Sequence, residues 1–182
     1  MAHVMTDYAS DAGGLRDARI TRDEPAFLGQ EIRPVQDSPT PSPIAIAAIA
    51  MSRLATLAGR EEWHAHRDRI LEPFADKLTR LAVFGATMLR AADWALNPTC
   101  HIVIVGSENA RPLVAKARQV YRPRKVITWL TEGANTDHLP DAMKAMMDGA
   151  APRAYVCCGN ACAAPVGTPE ELATTIRTFQ VA

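Results

Sequence analysis

Cys157 and Cys162, with four residues between them, form the most chemically pointed pair in this 182-residue chain. They sit in the run AYVCCGNACAAPV over residues 154–166, beside Cys158, and a fourth cysteine lies at Cys100. Three readings fit Cys157 and Cys162. A redox pair needs two thiols close in space, one of them eased into the thiolate by a cation or a helix N-terminus. Here both stand at a strand end, and no helix begins before Pro169. A zinc site needs four ligands, and no second CxxC or HxxxH arm accompanies the pair. His101 and His138 would have to be recruited from elsewhere. A turn with one cysteine packed inward and the other incidental ranks first, with a disulfide or a partial metal site second. Cys157 and Cys162 are therefore the redox or metal candidates. With no basic leader followed by an apolar core, reduced thiols and a cytoplasmic location are the expectation.

Other candidates are sparser. Asp11 and Asp17 flank the turn Gly13-Gly14 and are the candidate catalytic pair, as carboxylates for acid–base work on a carbohydrate. His64 and His66, two apart on a charged helix, point to different faces and do not chelate together. Gly106-Ser107-Glu108-Asn109-Ala110-Arg111 follows a strand as a nucleotide-binding turn would. It lacks the second and third glycines and the Walker lysine, and Glu108 would repel phosphate, so an ordinary βα turn is expected and no cofactor. Twenty basic and twenty acidic side chains cancel, so no field points to nucleic acid. The longest apolar run, residues 44–51, has eight residues, well short of the roughly 18 that a membrane span needs.

The elements that must carry these residues fall into three stretches. Residues 1–43 hold five prolines from Pro25 to Pro43 and the Asp11–Gly14 turn, and read as an irregular arm with a small hairpin at most. Residues 44–98 are helical. Residues 44–58 are apolar on nearly every face, as a buried helix is, with Gly59 as terminator. Trp63, Ile70, Phe74 and Leu78 form the next stripe, broken at Pro73, which lacks the N–H a helix interior requires. Phe84, Met88, Ala91 and Ala95 form a third, closed by Asn97-Pro98. Residues 99–182 alternate strand and helix. Strands are expected over 101–105, 125–130 and 153–157, with helices from Pro112, from Pro140 and from Thr168. In the last, Thr168-Pro169-Glu170-Glu171 is a capping box. Helical connections between strands imply a three-stranded parallel sheet in a small α/β lobe. The fold class is mixed α and β.

Several stretches, taken in order, resemble one family. They are DAGGLRDA at 11–18, PTPSPIAIAAIAMSRL at 39–54, HIVIVG at 101–106, and the Cys-x4-Cys turn running into TPEEL at 168–172. The family comprises the thioredoxin-domain-containing proteins related to spermatogenesis-associated protein 20. The resemblance implies an α/α toroid of the six-hairpin glycosidase type, similar to that of N-acylglucosamine 2-epimerases, followed by a small α/β piece. Three helices cannot close such a ring, so residues 44–96 would form part of a toroid. Leu15-Arg16 replaces the family's aromatic pair, and Pro43-Ile44-Ala45 replaces polar residues at an inner helix end. The implied role is a non-catalytic C-terminal fragment or split member whose helices meet a protein partner or a second copy. The alternatives are a carbohydrate isomerase or hydrolase using Asp11 and Asp17 in a larger assembly, and a thiol or metal module using Cys157 and Cys162.

Overall fold

The computed structural model describes residues 2–19, 32–137 and 139–180, which divide into two compact units. The first comprises residues 1–55 and 60–97. Its start is a helix, α1 (Ala2–Tyr8), which the proline-rich reading of an irregular arm missed. A single antiparallel bridge, Ala9 to Leu15, closes the expected hairpin around Gly13-Gly14. Both glycines have positive φ, and a Cβ on Gly13 would stand 2.4 Å from Pro73 Cγ.

Helix α2 (Pro43–Ala58) buries Ile44, Ala45, Ala48 and Met51 completely, as its apolar run dictates. Ser42 begins it, its Oγ accepting from the Ala45 N–H as an N-cap side chain does. Helix α3 (Glu62–Leu71) gives way at Pro73 to a 3-10 segment, Glu72–Lys77. The short α4 (Leu78–Leu81) and a second 3-10 turn, Ala82–Gly85, lead into α5 (Ala86–Leu96). The buried stripe of α5 is Thr87, Met88, Ala91 and Trp94. Phe84, expected on that stripe, is 54% exposed. Its turn winds at three residues per turn instead of 3.6, which rotates Phe84 out of phase with the helix that follows.

The second unit holds residues 56–59 and 98–182. Its sheet has four strands in the order β2-β1-β3-β4: β1 (Cys100–Val105), β2 (Lys125–Leu130), β3 (Arg153–Cys158) and β4 (Ala161–Cys162). Strands β1 and β2 are parallel, but β3 runs antiparallel to β1, which corrects the expected all-parallel sheet. The reason lies in the connection from β2. Val105 at the end of β1 pairs with Leu130, the last residue of β2, and with Arg153, the first of β3. The chain therefore re-enters the sheet at the same end of the strands where it left, on the other side of β1. The helix between, α7 (Asp141–Ala145), has five residues and spans about 8 Å, against the roughly 20 Å of a six-residue strand. It covers less than half of the return that a parallel crossover would make along the sheet.

Alternation along the strands sorts two cores. Ile102, Ile104, Ala154 and Val156 pack with Leu113 and Val114 of α6 (Arg111–Gln119) and with Leu172 and Ile176 of α8 (Pro169–Thr178). On the other face Val103, Val105 and Leu130 pack with Leu139 and Met143. Helix α8 starts with the expected box: the Glu171 N–H donates to Thr168 Oγ1, and the Thr168 N–H donates to the Glu171 carboxylate. No helix among the described residues is long and apolar enough to cross a membrane.

Candidate functional site

The helical unit exposes several large apolar side chains. Leu96 is 82% exposed, Val83 75% and Leu89 53%, all on α5 or the turn leading into it. Between α3 and α5 lies a groove of about 430 Å³, lined by Leu71, Ala75, Leu78, Met88, Ala92 and Leu96, with Asp68 and Glu72 at its acidic side. Of this lining, Leu78 and Met88 belong to the two stripes that the helical periodicity marks out, while Leu71, Ala75, Ala92 and Leu96 lie beside them. A second groove, of about 460 Å³, is lined by Tyr8, Leu15, Ile44, Ile46 and Ala50, together with Arg16 and Asp17.

The unit's frame depends on one carboxylate. Asp37 Oδ1 accepts from the Ser42 N–H at 2.8 Å, and Asp37 Oδ2 accepts from the Thr87 N–H at 2.9 Å. One side chain thus satisfies orphan donors at the starts of both α2 and α5. The Ser42 and Thr87 N–H groups hold the Asp37 carboxyl below the usual carboxylate range. No local spacing signals this, since Asp37 and Thr87 lie 50 residues apart.

The carboxylates named from the sequence are placed differently from one another. Asp11 is exposed on the Gly13-Gly14 turn, whereas Asp17 lines the second groove, whose lining does not include Asp11. His64 Nδ1 lies 2.7 Å from Arg67 Nη1, while the His66 ring is 5.8 Å from that of Trp63. The pair does not converge, as its spacing requires. His138 falls outside the described residues.

In the sheet unit the structure joins Cys157 and Cys162 in a disulfide. They are direct partners across β3 and β4, with Cα atoms 4.0 Å apart. Gly159-Asn160 makes the two-residue hairpin turn, with Gly159 at positive φ. The three-stranded expectation missed β4, and that Gly-Asn pair is the signal that could have found it. The expectation of thiols throughout is thus corrected at this pair, and so is the packed-cysteine turn that ranked first. Cys100 and Cys158 are free and buried. Among the described residues no group of three or more His, Cys, Asp or Glu could hold a metal ion. The disulfide closes a loop of six residues, so by chain entropy it contributes about 2 kcal/mol. Replacing both cysteines with serine should lower the stability of the sheet unit by that amount, read as a shift of its urea midpoint followed by Trp129 fluorescence.

No protein-family model matches the chain. A curated protein does. Over 156 residues the chain is 29% identical to spermatogenesis-associated protein 20 of Homo sapiens, an alignment covering 81% of this chain. The match supports relatedness to that protein's family. The chain spans about a fifth of the relative's length, 20%.

Proposed function

We propose that this chain is a non-catalytic structural and interaction module, equivalent to the C-terminal portion of a thioredoxin-domain, six-hairpin glycosidase-like protein or to one piece of a split member. In this reading the helices of residues 44–96 are part of an α/α toroid. Their apolar face docks on helices equivalent to the remaining four fifths of the relative. The observation that carries the reading is the groove between α3 and α5, with the exposed Val83, Leu89 and Leu96. Apolar surface of this kind is stabilised by about 25 cal/mol for each Å² removed from water, and neighbouring helices are what a toroid wall supplies.

The groove's acidic side, Asp68 and Glu72, favours a partner helix with basic residues at its margin. The double substitution Leu89→Glu and Leu96→Glu places two charges where the partner helix would lie. Both side chains are already exposed, so the variant should fold with an unchanged melting temperature. Its affinity for a co-expressed toroid-encoding partner should fall at least about a hundredfold, since burying unpaired charge costs several kcal/mol. Undiminished binding in a titration would refute the assignment of this face.

A further inference from the structure

The two free cysteines form a second cross-strand pair, and they open onto a cavity. Cys100 of β1 and Cys158 of β3 are direct antiparallel partners. The Gly159 N–H donates to the Thr99 carbonyl, which makes Thr99 and Gly159 the hydrogen-bonded pair beside them. Cys100 and Cys158 then occupy the closer, non-hydrogen-bonded position, with Cα atoms about 4.5 Å apart, inside the range a disulfide spans. Cys157 and Cys162 stand in the same relation one strand over, because the Ala163 N–H donates to the Val156 carbonyl, and they are already joined. Successive residues of β3 point to opposite faces, so Cys158 lies on the opposite side of the sheet from that disulfide.

The cavity beside this thiol pair measures about 380 Å³ and is lined by Cys100, Cys158, Arg122, Arg124, Pro98 and Gln180. Among the described residues its lining carries two guanidinium groups and no carboxylate. Arg122 Nη2 donates to Cys158 Sγ at 4.0 Å and to the Phe179 carbonyl at 2.8 Å, which fixes it over the sulfur. Arg124 Nε donates to the Pro98 carbonyl at the cavity wall.

We propose that Cys158 and Cys100 are a dithiol site that is oxidised by a small anionic disulfide of the glutathione class bound in this cavity. Arg122, held by its bonds to Cys158 Sγ and the Phe179 carbonyl, steadies the attacking sulfur. The Cys158 thiolate attacks one sulfur of the bound disulfide, forming a mixed disulfide and releasing one thiolate. The Cys100 thiol then loses its proton to that leaving group or to water. Its sulfur attacks Cys158 Sγ, closes the Cys100–Cys158 bond and releases the second small thiol. Two protein thiols and one disulfide become one protein disulfide and two small thiols. The order of attack follows from the surroundings. Arg122 donates to Cys158 Sγ, which makes Cys158 the first sulfur to attack, while burial and the hydrogen bond to Cys158 raise the Cys100 thiol and favour its keeping the proton until the first bond has formed.

The test uses the full chain, with oxidised glutathione as the probe. After incubation, remaining thiols are alkylated under denaturing conditions and the intact mass is read. Wild-type protein should lose both free thiols while retaining no glutathione. Cys100→Ser should hold one glutathionyl group on Cys158, and Cys158→Ala should take up none. Arg122→Gln should slow the reaction about tenfold with oxidised glutathione and with the uncharged 2-hydroxyethyl disulfide alike, because it acts on the sulfur. Two alkylatable thiols left in wild-type protein after prolonged incubation would overturn the proposal. So would glutathione carried on Cys100 in Cys158→Ala at the wild-type rate.

Discussion

Acidification from pH 7 to pH 4 should remove about 3 kcal/mol from the stability of the sheet unit, and His101→Gln should abolish most of that loss. His101 sits on β1 with Val126 and Cys157 as register partners, and its Nε2 lies 2.8 Å from Thr128 Oγ1. Burial pushes its imidazole down to about 4, because the charged form loses hydration that the strand environment does not replace. The unfolded chain takes up the proton near pH 6.5, whereas the folded chain resists until about pH 4. Stability is therefore complete above pH 6.5, falls as pH drops toward 4, and levels off below, where both states are protonated. A displacement of about 2.5 pH units corresponds to about 3 kcal/mol. Urea midpoints of wild type and His101→Gln at pH 7, 5.5 and 4 check this. The difference between the two proteins isolates the histidine from carboxylates that titrate over the same range. Parallel curves would show that His101 takes up its proton equally in both states.

Asp37→Ala should cost the helical unit about 3 kcal/mol. The substitution strips one acceptor from the start of α2 and another from the start of α5, and each helix cap is worth about 1–2 kcal/mol. The Asp37 N–H also donates to the Phe84 carbonyl, which the substitution keeps. Asp37→Asn retains oxygen for one of the two donors and should lose about half as much. Because the folded carboxyl lies below its ordinary 3.8, this contribution is full above that pH. It is lost as pH falls through the lower folded value. Thermal unfolding of the three proteins by circular dichroism at pH 7 and pH 3 measures both effects. Equal stability of Asp37→Ala and wild type at pH 7 would contradict the double cap.

What the sequence made legible was local. Thr168, Pro169 and Glu171 lie within four residues, and their box forms as their chemistry requires. The β-branched runs at 101–105 and 125–130 become strands because few other conformations suit continuous Val and Ile. Pro73 breaks its helix because it has no N–H to offer. What stayed hidden was set by distant partners. The direction of β3 depends on which end of the strands the chain re-enters, and helical periodicity in the connection does not report that. The cysteine pairs depend on strand register, so spacing alone left a packed turn and a disulfide both open for Cys157 and Cys162. Phe84 was misplaced because a 3-10 turn shifted the helical phase by a fraction of a residue. The candidate docking face was half visible. Met88 and Ala95 came from the apolar stripe, while the exposure of Leu89 and Leu96 required the packed structure.

The central claim is that the helical unit works against a partner that completes its apolar wall. The most direct measurement is the solution mass by light scattering of the chain, alone and co-expressed with its neighbouring open reading frame. A stable one-to-one complex with a toroid- or thioredoxin-encoding neighbour, lost in the Leu89→Glu and Leu96→Glu variant, is the predicted result. A monodisperse monomer in both preparations, with the groove between α3 and α5 left uncovered, would contradict it.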